Sequence, residues 1–306
     1  MKYIEKNGYR ISDLTLGTAQ LGLAYGVNNA KGMPTYEESK ELLNTALDCG
    51  ICSFDTARAY GISEEVLGRF FAETGREKTI ITKCIFKDET KEELKASIFA
   101  QVKDSQKKMG LEKLPFLLLH NESYFEKYGE AMWEALLAVK AEGLVDNIGL
   151  SFSDKTHLAE YTERGVFDAI QLPANIFDSK EIKSGLIKKI SESGVVLFVR
   201  SVYLQGLFFK DTNELPEKIK SAKAPLDKLH KLAEDNGLSM AAVAFGFMRD
   251  TEGISSLVLG ADTPAQLKES VSLANMPKLS PALLDKILEI SEEVEPIVIR
   301  PWEWYK

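Results

Sequence analysis

A chain of 306 residues that is 44% hydrophobic and 27% charged has the composition of a globular protein with a sizeable core. Its formal net charge of −8 argues against a nucleic-acid partner, because phosphate binding wants clustered Lys and Arg. No apolar run approaches the roughly 20 residues a membrane span needs, and the charged start Met1–Lys6 lacks the apolar stretch of a signal peptide, so no membrane partner and a cytoplasmic location are expected.

In chain order, Lys2–Ile11 reads as a short hairpin turning at Asn7-Gly8, placed to plug the floor of a barrel. Eight short, largely apolar runs follow: Leu14–Gly17, Ile51–Asp55, Thr79–Lys83, Phe116–His120, Asn147–Ser151, Ala169–Leu172, Val195–Val199 and Ser256–Gly260. Their character fits parallel strands buried on both faces. Helical patterns lie between them at Tyr36–Asp48, Glu64–Thr74, Lys91–Met109, Glu126–Ala141 and Ser179–Ser191. Thr35 with Glu38 three residues on makes a capping box, and Ser63 precedes Glu64 and Glu65, which suit a helix start. Residues 206–224 read as a long polar loop, followed by an extra helical region at Pro225–Arg249. Thr263-Pro264 opens a further helix, and Ser280–Val294 reads as the last one, before the aromatic tail Pro301-Trp302-Glu303-Trp304-Tyr305. With no repeat, linker or composition break, the expectation is one domain over residues 1–306 in the α/β class. The fold expected is a (β/α)8 TIM barrel with an N-terminal hairpin and extra C-terminal helices.

The cysteines, Cys49, Cys52 and Cys84, are odd in number and suggest no disulfide framework. Cys49-Gly50-Ile51-Cys52 matches the Cys-x-x-Cys spacing of redox and zinc sites. No second Cys pair or His pair accompanies it, so no metal is expected.

Four polar residues stand at or just beyond the ends of strand-like runs, or in the loop that follows: Asp55, Tyr60, Lys83 and His120. Active sites of such barrels gather at the carboxyl ends of the strands. A free tyrosine holds its proton up to a pH near 10, and a neighbouring cation favours the phenolate. Lys83 would supply that cation, Asp55 would keep Lys83 charged and oriented, and His120 would hydrogen-bond a carbonyl oxygen. Singly, each residue has a plainer reading: a turn cap, a loop aromatic, a solvated lysine. His157 and His230, the other histidines, fall within helical patterns and read as surface residues. Lys83 as a Schiff-base amine is an alternative, but it needs a neutral lysine. A non-enzymatic binding module is another, whereas a metal-dependent hydrolase finds too few histidines here.

Phe54-Asp55-Thr56-Ala57-Arg58-Ala59-Tyr60-Gly61-Ile62-Ser63-Glu64 resembles the N-terminal signature of the aldo-keto reductase family. Ile81-Thr82-Lys83, Leu118-Leu119-His120, Ile148-Gly149-Leu150-Ser151 and Ile170-Gln171 follow in the family's order, so the resemblance covers nearly the whole chain. It implies a nicotinamide-dependent carbonyl reductase using NADP(H) or NAD(H), with Asp55, Tyr60, Lys83 and His120 as the catalytic set. A Gly-x-Gly-x-x-Gly phosphate loop is absent after the first strand, so the dinucleotide would lie across the barrel's carboxyl face. The resemblance places Gly17, Thr18 and Ala19 near the nicotinamide ribose, and Ser151 and Gln171 on the carboxamide. Phe152 stands where the family often has Asn, and Asn175 lies nearby. Arg200 takes the nicotinamide-stacking position, a role a planar guanidinium can fill. Ser201, Leu204 and Gly206 would contact the pyrophosphate through their backbone. At the adenosine end come Gly260, Asp262 and Gln266, where many NADPH-using relatives place Lys, Ser or Arg. A carboxylate at 262 suits a ribose hydroxyl and repels a phosphate, whereas the helix start at Thr263-Pro264 favours an anion. The substrate implied is a small carbonyl or alcohol, with a sugar-like carbonyl the leading class. The loops Tyr25-Gly26-Val27-Asn28-Asn29 and Asn121–Phe125 and the aromatic tail are the candidates for selecting it.

Overall fold

The computed structural model describes residues 1–24 and 32–305, so the loop at residues 25–29 lies outside the described residues. Strands β1 (Tyr3–Lys6) and β2 (Tyr9–Ser12) pair antiparallel. Asn7 and Gly8 between them adopt φ of 50° and 82°, the left-handed pair that a two-residue hairpin turn demands. Eight strands follow: β3 (Leu14–Gly17), β4 (Ser53–Asp55), β5 (Thr79–Cys84), β6 (Leu114–Leu119), β7 (Val145–Ser151), β8 (Ala169–Pro173), β9 (Val196–Arg200) and β10 (Ser256–Leu259). They run parallel in chain order, and β10 closes on β3 to complete a (β/α)8 barrel with helices between the strands.

Side chains alternate across each strand, and here the alternation separates two cores. Ile81, Phe116, Leu118, Ala169, Val196, Phe198 and Val258 point inward and form the barrel's interior with Ile11 of the hairpin. Ile80, Leu117, Leu119, Ile170, Leu197 and Leu257 point outward into the shell beneath the helices. The hairpin closes the amino-terminal end: Tyr9 packs edge-on against Phe116, and Asn7 Nδ2 donates to Asn147 Oδ1 at 2.7 Å.

The helix between β3 and β4, Tyr36–Asp48, starts at the expected capping box: Thr35 accepts from the Glu38 N–H while Glu38 accepts from the Thr35 N–H. Several boundaries differ from those the periodicity suggests. The expected helix at 126–141 is two, Ser123–Tyr128 and Glu130–Ala141, because Gly129 sits at φ 59° and breaks the ladder. Gly185 at φ 74° splits the expected 179–191 helix in the same way, into Lys180–Lys183 and Leu186–Glu192. A helix at Leu158–Glu163, too short to show a period, joins β7 to β8. The stretch 206–224 is not a plain polar loop: it holds two 3-10 segments, Leu204–Phe209 and Glu217–Ala222, and buries Leu207, Phe208, Leu215 and Ile219. The helical region beyond it is also two helices, Lys223–Asp235 and Met240–Asp250. The last helix, Pro281–Ser291, stops short of Val294. In the tail, Trp304 is buried and its indole N–H donates to Val298 O, while Trp302 and Tyr305 are exposed. Trp304 is therefore an anchor. No described helix is long and apolar enough to cross a membrane.

Candidate active site

The inward parity of each strand carries one residue further to the carboxyl rim. Continuing it past Ile81 on β5 gives Lys83, past Leu118 on β6 gives His120, past Ala169 on β8 gives Gln171, and past Phe198 on β9 gives Arg200. On β3, β4 and β7 the same step leads to Gly17, Asp55 and Ser151, and just beyond β10 it leads to Gly260. Eight strands thus present to one rim eight of the residues picked out in the sequence.

At its centre is a buried ion pair. Lys83 is 0% exposed, and its Nζ donates to Asp55 Oδ1 and Oδ2 at 2.6 and 2.7 Å and to Thr56 O at 3.0 Å. Two carboxylate contacts and a carbonyl satisfy the three N–H bonds of the ammonium, the condition for keeping a charge out of water. Tyr60 arrives from the loop after β4: Lys83 Nζ lies 5.1 Å from its ring centre, and the His120 ring stands edge-on to it at 5.7 Å between centroids. Asp55, Tyr60, Lys83 and His120 are therefore in one cluster, drawn from β4, the loop after it, β5 and the residue after β6.

Burial, followed by the positive charges of Lys83 and Arg200, pushes the His120 imidazole down to about 3. Between that value and the ordinary one of about 6.5, an unfolded chain binds a proton that the folded protein refuses. Unfolding then takes up a proton, so this group lowers stability as pH falls through that window. His120 is neutral throughout the physiological range. We expect no limb from His120 in a pH–rate profile between about pH 5 and 8; a step near 6.5 that disappears in His120→Gln would contradict it.

The loop that carries Tyr60 packs backbone to backbone against the segment after β3. A Cβ on Gly22 would lie 1.9 Å from Tyr60 O and 2.4 Å from Ser63 N, and one on Gly61, at φ 55°, would lie 2.1 Å from Gly22 O. Gly22→Ala should therefore cost about 1–3 kcal/mol of stability by overpacking and displace Tyr60. Thermal melting checks this, and an unchanged midpoint would show that the two loops can separate.

The other rim residues occupy varied settings. Thr18 is fully buried and fully engaged: its hydroxyl lies between Asp55 O and Ser63 Oγ, its N–H donates to Asp55 O, and its carbonyl accepts from Ser63 Oγ, so it shapes the rim rather than offering a free polar group; Ala19 is buried too. Ser151 Oγ donates to Gln171 Oε1 at 3.3 Å, and Gln171 Nε2 donates to Asp55 Oδ1 at 2.8 Å. Arg200 is tied to Phe152 O through Nη2 at 2.9 Å. Phe152 turns its ring away from the rim, fully buried near Tyr161, so no side-chain amide stands where the family often has Asn. After β9, Ser201, Leu204, Gln205 and Gly206 have φ of 65°, 44°, 55° and 81°. Three of these are not glycine, a concentration of left-handed backbone characteristic of ligand-binding turns. Past β10, Asp262 and Gln266 are exposed, and Gln266 Oε1 accepts from the Asp262 N–H at 2.7 Å.

Four residues support the rim from behind, and of these Gln20 and Glu122 have no local sequence signal. Gln20 Nε2 donates to Ala261 O at 2.8 Å, joining the loops after β3 and β10. Glu122 accepts from the N–H groups of Ser153 and Asp154 at 2.8 and 2.7 Å, pinning the loop after β7. Asn175 accepts from the N–H groups of Phe177 and Asp178, and its Nδ2 reaches Ser201 O at 3.4 Å. Glu64 is 1% exposed and accepts from Thr82 behind Lys83. Among the cysteines, Cys49 stands at the carboxyl cap of the helix Tyr36–Asp48, Cys52 Sγ meets Arg10 O, and burial pushes the Cys84 thiol up to about 12.

The closed parallel barrel is shared with an aldo-keto reductase from Bacillus halodurans in its holo form (TM-score 0.77, 21% identity, 95% of this chain and 96% of that one). The glycerol dehydrogenase from Gluconobacter oxydans is similar as well (TM-score 0.74, 23% identity, 96% of each chain). In sequence, L-glyceraldehyde 3-phosphate reductase from Escherichia coli O157:H7 is 25% identical over 99% of this chain and 94% of its own length. D-threo-aldose 1-dehydrogenase from a Pseudomonas species is 22% identical, covering 84% and 90% respectively. A sequence profile described as the Aldo/keto reductase family matches residues 13–292, and the chain accordingly belongs to that family.

Proposed function

We infer that the protein is a nicotinamide-dependent oxidoreductase that interconverts a small carbonyl compound and its alcohol, with Tyr60 as general acid and base. The observation that carries this reading is the ion pair of Lys83 and Asp55, sealed from water beneath the Tyr60 ring. Its field favours the phenolate and so eases release of the phenolic proton to an oxygen gaining charge. His120, neutral, hydrogen-bonds that same oxygen and orients the carbonyl. In the reverse direction Tyr60 takes the alcohol proton. The ion pair also weighs against Schiff-base chemistry, which needs a neutral amine, whereas Lys83 is held against a carboxylate at 2.6 Å.

The rim has the donors a dinucleotide asks for. Ser151 and Gln171 suit an amide, the left-handed run at Ser201, Leu204 and Gly206 suits a pyrophosphate, and Arg200 suits a ring face. Gly17 and Gly260 stand side by side where the barrel closes, with a Cβ on Gly17 falling 3.6 Å from Gly260 N. When bound, the nicotinamide supplies or accepts the hydride. Near the adenosine, Asp262 repels a 2′-phosphate while the start of the helix Pro264–Ala274 attracts one, so both NAD(H) and NADP(H) are compatible. Asp262→Arg should shift preference towards NADPH, and equal ratios of kcat/KM in the two proteins would show that Asp262 does not face the ribose.

The substrate class we favour is a small polyhydroxylated or sugar-like carbonyl. Support comes from the sequence pattern and from relatives named for a phosphorylated triose, an aldose and glycerol. Fluorescence titration with NADH and NADPH, then a panel of aldoses, ketoses and polyols followed at the nicotinamide absorbance, tests this. Turnover confined to other carbonyls would overturn the substrate class, and no turnover with either cofactor would overturn the function.

A further inference from the structure

Asp55 receives more than Lys83. It also accepts from Gln171 Nε2 at 2.8 Å, across 116 residues of chain. An ionised carboxylate only accepts, so the amide nitrogen must face Asp55 and the amide oxygen is thereby turned towards Ser151. The Ser151 hydroxyl then donates to that oxygen. The direction of the whole line is set: Ser151 donates to Gln171, Gln171 donates to Asp55, and Lys83 donates to Asp55 from the other side. Gln171 is 1% exposed and Ser151 2%, so bulk water does not substitute for either bond.

We propose that Gln171 is a positioning residue for the proton donor, coupling the amide-binding part of the rim to Tyr60 through Asp55 and Lys83. This rests on the oxidoreductase reading of the same site. The negative charge of Asp55 offsets part of the Lys83 field that reaches Tyr60. An N–H donated by Gln171 draws charge on Asp55 towards itself and leaves more of that field for the phenol. Any amide-bearing ligand that competes for Gln171 Nε2 therefore changes how readily Tyr60 releases its proton. The charged and titratable groups facing this arrangement are Asp55 from β4, Lys83 from β5, His120 after β6 and Arg200 at the end of β9. Of these four, Asp55 is the one that bonds Gln171.

The test uses ligand-free protein and reads ionisation directly. The chain has ten tyrosines, so the ultraviolet phenolate titration of each protein is subtracted from that of its Tyr60→Phe counterpart, which isolates Tyr60. Gln171→Met keeps the length but donates nothing, and should move the Tyr60 midpoint upward by about half a unit to one unit. Gln171→Glu adds a second carboxylate beside Asp55 and should move it further. Ser151→Ala removes only the outer donor and should give a smaller shift of the same sign, which keeps the proposal testable if either Gln171 variant fails to fold. A Tyr60 midpoint unchanged in the folded variants, with weaker dinucleotide binding alone, would make Gln171 a holding residue and overturn the proposal. Absence of turnover in the unaltered protein would count against the oxidoreductase reading and would leave this shift in place.

Discussion

Replacing Tyr60 by Phe should lower carbonyl turnover by about 10²–10⁴-fold, the usual contribution of a positioned proton donor, while dinucleotide affinity changes little. The substitution removes one oxygen and keeps the ring whose edge contact with His120 and neighbourhood to Lys83 organise the loop. The Lys83–Asp55 pair has its own partners and does not depend on the phenol for hydrogen bonds. Thermal melting of the variant separates loss of chemistry from loss of fold. Steady-state kinetics beside a cofactor titration decides it. Turnover within a few-fold of the parent would remove Tyr60 from the proton-transfer role.

The second large effect is on folding. Lys83 and Asp55 have side chains 0% and 5% exposed, so truncating one strands the other in a setting with little water. Asp55→Ala leaves the Lys83 ammonium with one carbonyl, Thr56 O, and should cost about 3–5 kcal/mol. Lys83→Met leaves Asp55 with the Gln171 amide as a side-chain donor and should cost a similar amount. The double variant Asp55→Ala with Lys83→Met removes both charges and should cost clearly less than the two single changes added together. Denaturant unfolding of the set measures the coupling. Simple additivity would mean the pair is not desolvated as the buried geometry requires.

Much of this site is legible in the sequence because barrel geometry is regular. A parallel strand buried on both faces writes itself as a short apolar run, and the residue that ends the run arrives at the rim on a known parity. That is why Asp55, Lys83 and His120 stand out before any fold is in hand, whereas Ser151, Gln171 and Arg200 are marked by the resemblance to the family. The Thr35–Glu38 capping box is equally local and equally readable. What escapes is whatever depends on a distant partner or on a single dihedral angle. Gly129 and Gly185 look like tolerated helix glycines until their positive φ values are known. The segment around Leu215 and Ile219 hides its burial because its apolar residues follow no period. The clash that forbids a side chain on Gly22 lies with Tyr60 and Ser63, far along the chain. The Gln171–Asp55 bond joins residues 116 apart and has no counterpart in any local pattern.

The barrel scaffold explains why chemistry and selectivity are encoded so differently. The proposed catalytic groups sit on strand ends or just beyond them, and Glu122, Asn175 and Gln20 brace the neighbouring loops. In barrels of this kind selectivity is set by the longer loops at the rim, where sequence is least constrained by packing.

The central claim is hydride transfer between a nicotinamide and a carbonyl carbon at the Tyr60–His120 face. The most direct measurement uses a reduced dinucleotide deuterated on one face of its reactive ring carbon, with a sugar-like aldehyde or ketone and the product read by mass spectrometry. Deuterium should appear on the new carbinol carbon from one face of the dinucleotide only, at a rate that collapses in Tyr60→Phe. Product free of deuterium from either face, or label transfer undiminished in Tyr60→Phe, would contradict it.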